Sequence, residues 1–244
     1  MNKADYVWST LMTELPKNNS GQVSIMHSTG FKALNFPGEY SPSLEEINEI
    51  LRAKTRWQAY EAFGFVPYEE YFGRMLNYEF PINTYERSIE ELYHSEQPDR
   101  FHDVYGHLPF LADDHYTEVA LCMSEMAMKY TKDEVSRELF QRYYFHLFEF
   151  GLIREADGVK VLGAGIAASI RESEISVSST HKHFEHNPII IMETPFTTDE
   201  ELKPQYFVLN DLDDVLQVKS LIEDYIRFRK KRKDLKLKVY NNML

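Results

Sequence analysis

The chain has 244 residues, room for one large domain or two small ones, and its 43% hydrophobic content is enough for a sizeable core. A formal net charge of −12 argues against a general polyanion binder. One cysteine, Cys122, excludes an intrachain disulfide, the sequence opens without an apolar leader, and the longest strongly apolar run is IIIM at 189–192, so a reducing, cytoplasmic, non-membrane setting is expected.

Trp8, Leu11, Met12 and Leu15 recur at spacings of three and four, which predicts a helix over 1–16 and a loop at PKNNSGQ. Ser43 and Glu46 form a capping-box pattern ahead of a helix at about 44–54. Pro67 opens a further helix over PYEEYFGRML, and PINTYERSIEEL reads as an extended piece plus a short helical turn. Helices are predicted over about 114–130 and 133–151, the second ending at Gly151. The pattern then changes. EADGVKVLGAGIAAS holds an Asp-Gly turn, a short strand and a glycine-rich bend; NPIIIMETPF, YFVLND and LKLKVYNN are strand candidates; DLDDVLQVKSLIEDYIRFRKK reads as one helix. The basic run FRKKRKDLKLK suits a solvated helix end, with a local phosphate or nucleic-acid contact as the alternative. With no repeat, linker or composition shift, the expectation is a mainly α chain, a single domain over 1–244 with a few short strands.

The chemistry concentrates in FHDVYGHLPF, which carries His102 and His107, and in YYFHLFEFGLI, which carries Glu149. Two imidazoles and one carboxylate can hold a divalent metal on one face and leave the other open, as suits non-haem ferrous iron. The same residue types also hold catalytic zinc. On a regular α-helix residues five apart lie about 140° from each other. Gly106 and Pro109 are therefore expected to end the helix and let His107 swing back. His146, three residues before Glu149, is a rival ligand on a similar face. His181, His183 and His186 fall in what reads as an exposed loop. No HExxH motif is present, and no general base for a zinc hydrolase can be placed.

The run QPDRFHDVYGHLPFL, followed by FHLFEFGLI and LGAGIAASIRES, resembles the pterin-dependent aromatic amino acid hydroxylases, and the likeness extends from Trp8 through Arg87 to KPQYFVLNDLDDV. The resemblance implies a helical basket, ferrous iron, a tetrahydropterin (tetrahydrobiopterin or a relative) and O2 as co-substrate. It assigns the iron ligands to His102, His107 and Glu149. It gives Arg87 the substrate carboxylate, for which a guanidinium fork is suited, with Asp99 holding that fork. Pro98, Phe145, Gly165 and Ser169 would complete the substrate site. Phe65, Val66 and Tyr71 would receive the pterin, and Asp103 would reach it through water. His146 becomes a core or supporting residue.

Three departures from the family pattern bear on the substrate. Ala168-Ser169 stands for Ser-Ser, Phe145 for the Trp common in phenylalanine and tyrosine hydroxylases, and Tyr71 for a stacking Phe. The implied activity is hydroxylation of phenylalanine to tyrosine. Tryptophan or another ring position is the near alternative; a zinc hydrolase or a non-catalytic module is the remote one. Neither a regulatory domain nor a tetramerisation helix finds room, so the short bacterial form, acting as a monomer on a small molecule without nucleic acid or membrane, is expected.

Overall fold

The computed structural model describes residues 2–93, 95, 97–196 and 202–241, with side chains through 233. In chain order it forms α1 (Lys3–Asn18), α2 (Ile25–Leu34), α3 (Leu44–Lys54), β1 (Gln58–Ala62), α4 (Tyr68–Met75) and β2 (Glu79–Asn83). Two π-helical segments follow, each joined to ordinary helix. The first, π1 (His102–His107), runs into α5 (Leu108–Leu111) and α6 (Asp114–Met128); the second, π2 (Phe145–Glu149), continues α7 (Glu134–Tyr144). The rest comprises β3 (Leu152–Glu155), β4 (Gly158–Val161), α8 (Ala164–Ala167), α9 (Ile170–Ser176), β5 (His183–Glu185), α10 (Pro188–Glu193), β6 (Tyr206–Leu209), α11 (Asp213–Gln217) and α12 (Lys219–Asn241).

Where side-chain spacing and capping agree, the expected helices form. Val7, Trp8, Leu11 and Leu15 make the buried stripe of α1. The helix runs past the expected loop start, because Pro16 falls in a last turn that Asn19 N–H closes on the Leu15 and Lys17 carbonyls. Both halves of the Ser43–Glu46 capping box are present at α3. Pro67 is the N-cap of α4 rather than a first-turn residue.

Four expectations are corrected. NPIIIMETPF is not a strand: the Asn187 side chain accepts from Ile189 and Ile190 N–H and Pro188 presets the first turn, so capping overrides the β-branched run and makes α10. LKLKVYNN continues α12 as far as Asn241 instead of pairing; Asn242 lies outside the described residues. The single helix read across 211–231 divides at Val218 into α11 and α12. The stretch at His183 is not a loop but the short strand β5. Neither β1 nor β3 was foreseen from the sequence; β1 pairs in parallel with β2, and β3 pairs with β4 and β6.

The strands make two small sheets, β1-β2 and β4-β3-β6-β5. Trp57, Phe80, Phe110, Phe140, Tyr143 and Phe207 are fully buried in one continuous core. Each large apolar side chain so buried stabilises the fold by roughly 1.5–3 kcal/mol. The core supports a cavity whose floor is formed by π1, π2 and α8. Among the described residues, no helix is long and apolar enough to cross a membrane.

Candidate metal centre and its cavity

The expected break between His102 and His107 does not occur. The chain winds wider instead: Leu108 N–H bonds the Asp103 carbonyl five residues back. In an i→i+5 turn, residues five apart lie about one turn from each other and can share a face, which an α-helix forbids at that spacing. Phe150 N–H likewise bonds the Phe145 carbonyl in π2, the segment that presents Glu149. The glycines serve close packing. A Cβ on Gly106 would lie 2.7 Å from the Ala164 carbonyl oxygen, and one on Gly163 would lie 2.2 Å from that of Glu149. The start of α8 can therefore press on both ligand-bearing segments at once, and any larger residue would push them apart.

The result is a buried triad. His102 Nε2 lies 3.3 Å from Glu149 Oε2, and His107 Nε2 lies 3.2 Å from Glu149 Oε1. One ligand atom from each of the three falls within 4.8 Å of the others. Burial alone would lower the His102 pKa, but hydrogen bonds to Asp103 and Glu149 outweigh it and raise it to about 10. Burial alone would raise Glu149; the charge of His107 and the hydrogen bonds from both histidines instead hold it far below the usual carboxylate range. The centre thus stabilises positive charge between the three groups, and the proton that fills this role can be replaced by a divalent cation.

The ring orientation is also set. His102 Nδ1 lies 3.0 Å from Asp103 Oδ1, an atom that only accepts, so Nδ1 carries a hydrogen and Nε2, whose proton points at Glu149, is the nitrogen a metal would take in that proton's place. The other Asp103 oxygen accepts from Asn83 N–H and Asn83 Nδ2. The Asp103 carboxylate thus ties His102 to β2 while it also lines the cavity.

The triad opens into a cavity of about 740 Å³. Phe65, Val66, Tyr71 and Asp103 line it on the side of β1 and α4; Pro98, Arg87, Phe145, Gly165 and Ser169 line it elsewhere. Asp99 is fully buried and supports from behind: its Oδ2 accepts from Arg87 Nε at 2.6 Å and its Oδ1 from His102 N–H at 2.9 Å. The Arg87 guanidinium is thereby fixed at the cavity wall. Tyr71 Oη lies 2.7 Å from Tyr144 Oη, and burial holds both phenols neutral, their pKa values raised well above normal. Ser169 Oγ caps α9 by accepting from Glu172 N–H, while Ala168 beside it is buried.

His146 lies apart from the triad. Its Nε2 faces the Thr194 carbonyl at 3.4 Å, its ring meets Phe207 and Phe196 edge-on, and burial lowers its pKa. Nor do His181, His183 and His186 converge: they face the Lys203 carbonyl, the Ser176 carbonyl and the Tyr143 hydroxyl.

Several cavity residues had no sequence signal. Phe196 stacks on Phe145 with ring centroids 4.3 Å apart, filling space that a Phe in place of Trp would otherwise leave. Lys203, buried, lays its ammonium over Phe150 and Phe196. Asn83 and Tyr144 also line the wall. Their partners are remote in the chain, so spacing could not group them.

The family model for the biopterin-dependent aromatic amino acid hydroxylases matches residues 2–243. The phenylalanine-4-hydroxylase of Pseudomonas aeruginosa is 34% identical over 212 residues, 87% of this chain and 80% of the relative. The solved phenylalanine hydroxylase of Legionella pneumophila superposes with a TM-score of 0.82 at 29% identity, covering 90% of this chain and 96% of the other. The phenylalanine hydroxylase of Chromobacterium violaceum bound to cobalt gives a TM-score of 0.83 at 25% identity, with 89% and 78% covered.

Proposed function

Because the chain belongs to the biopterin-dependent aromatic amino acid hydroxylases, we propose that it converts phenylalanine to tyrosine with ferrous iron, a tetrahydropterin and O2. The observation that carries this reading is the buried His102–His107–Glu149 triad facing a cavity in which Asp99 fixes Arg87. Two imidazoles and a carboxylate, with one side open, suit ferrous iron. When bound, the iron and the reduced pterin supply the electrons that activate O2, one oxygen atom entering the ring and the other leaving with the pterin.

The protein's part is positioning and exclusion of water. His102, His107 and Glu149 hold the metal, and Asp103 fixes the His102 tautomer. Arg87 takes the substrate carboxylate with the guanidinium edge that Asp99 leaves unused. Pro98, Phe145, Gly165 and Ser169 bound the side chain of the substrate. Phe65, Val66 and Tyr71 form the wall for the pterin. The Phe145–Phe196 stack narrows the space for the ring and favours phenylalanine over the larger indole of tryptophan. The chain is further proposed to act as a cytoplasmic monomer on a small molecule.

The test is product identification. The purified protein is loaded with ferrous iron and given a reduced pterin, O2 and a mixture of phenylalanine, tyrosine and tryptophan. Mass spectrometry and chromatographic standards should show para-tyrosine as the main product. Hydroxytryptophan or meta-tyrosine would replace the substrate or ring position in this reading; tight zinc with no pterin-dependent oxygen uptake would remove the reading itself.

A further inference from the structure

We propose that Asn83 is a positioning residue of the metal centre, acting on His102 through Asp103. The inference rests on the reading of His102 as a metal ligand.

Three observations carry it. First, Asn83 gives two donors to one oxygen: its backbone N–H at 2.7 Å and its side-chain Nδ2 at 3.0 Å both bond Asp103 Oδ2. Asp103 Oδ1 is left to accept from His102 Nδ1 at 3.0 Å. The carboxylate cannot turn without breaking one of these bonds, so Asn83 fixes its plane and, through it, the imidazole ring. Second, the amide can sit only one way round. Turned over, its oxygen would face a carboxylate, with no hydrogen between two acceptors. Third, the Asn83 Oδ1 atom is buried without a hydrogen-bond partner. An unpaired buried acceptor destabilises a fold, and an apolar residue of similar size would avoid that. What the amide supplies in return is the second donor to Asp103.

The placement adds a role that side-chain chemistry alone would not. Asn83 ends β2 and pairs in register with Ala62 of β1. The chain leaving β1 leads directly to Gly64, Phe65 and Val66 of the cavity wall. One residue thus ties the wall proposed for the pterin to the orientation of a proposed metal ligand. Removing a hydrogen-bond partner of a ligating histidine commonly weakens metal binding 10- to 100-fold. Because the backbone donor of Asn83 survives any substitution but proline, the lower end, about tenfold, is expected.

The experiment uses the full chain and cobalt(II) as the probe. The dissociation constant is measured by competition with a chelator, and the visible absorption bands report the ligand field. Asn83→Leu and the smaller Asn83→Ala should each raise the dissociation constant about tenfold and shift the cobalt bands, while the metal-free melting temperature stays the same or rises. In an Asp103→Ala background, adding Asn83→Leu should change neither constant nor bands. Unchanged cobalt affinity in both single variants, or an equal loss with and without Asp103, would overturn the inference while leaving the metal reading intact. A wild-type chain that binds no cobalt would overturn both.

Discussion

Among the described residues, two groups bring three possible ligand atoms within 4.8 Å: His102, His107 and Glu149 in the cavity, and His115, Asp211 and Asp213 at the surface. By residue type they are near equals. The surroundings separate them. The first is buried, its carboxylate pinned by two histidines and its leading histidine oriented by Asp103. The second is exposed; His115 and Asp213 form a water-facing pair at 2.9 Å. Solvent screens such a pair and lets both side chains wander. Proximity of ligand atoms is therefore a weak criterion, whereas a preset ring and a desolvated charge are strong ones.

The largest effects should break this contrast at its centre. His102→Ala, His107→Ala and Glu149→Ala should each abolish iron binding and turnover, while His115→Ala and His146→Ala retain stoichiometric iron by metal analysis. Retention of iron by Glu149→Ala, or its loss in His146→Ala, would mean the ligand set is misassigned.

A histidine buried without carboxylates sharpens the comparison. His27 packs between aromatic rings, its Nε2 donating to the Tyr105 carbonyl at 2.8 Å, and burial lowers its pKa to about 4. The unfolded chain, near 6.5, binds the proton more readily than the folded one. Stability from neutral His27 is thus complete above pH 6.5 and drains away as pH falls toward 4, by about 3 kcal/mol. Urea unfolding of the metal-free protein at pH 7 and pH 4 should show this slope, and His27→Gln should flatten it. Equal slopes in both proteins would place the acid sensitivity elsewhere.

Ion pairs divide in the same way. Arg87–Asp99 is buried, whereas Arg154–Glu185 is exposed. Arg87→Lys should raise KM for the amino acid by roughly 10- to 100-fold, since a charged hydrogen bond is worth about 1.5–3 kcal/mol and lysine lacks the planar fork. Iron content should not change, and Arg154→Lys should leave KM where it was. An unchanged KM in Arg87→Lys would take Arg87 out of the substrate site. The smallest effect concerns ring size. Phe145→Trp should lower kcat/KM for tryptophan relative to phenylalanine by about tenfold, the low end of steric discrimination, because Phe196 already occupies part of the space. A constant or rising ratio would show that Phe145 does not shape the pocket.

The helices were legible because their signals are local: the α1 stripe and the Ser43 capping box need only neighbours three and four residues away. The triad was legible through its residue types and through the family motif, but its mechanism was misread. Glycine and proline around His107 look like helix breakers in one dimension; in space Gly106 is a packing contact with Ala164, and α-helix phase rules do not foresee a π turn. The strand expected in NPIIIMETPF failed because a single Asn-Pro cap outweighs three isoleucines. Phe196, Lys203 and Asn83 were invisible for another reason: each has a partner 20 or more positions away, a separation at which a single sequence holds no phase.

The π turns have a consequence for changes of chain length. A π turn accommodates one residue more than the α turn it replaces, and the surplus is absorbed locally. Dropping one of the four residues between His102 and His107 would give histidines at i and i+4 of an ordinary helix, again on one face, with the following helix still in phase. The same deletion inside α6 would rotate everything after it by about 100°. In helical phase alone, a one-residue deletion is thus best absorbed at the metal itself, even though the residues it would remove there are buried.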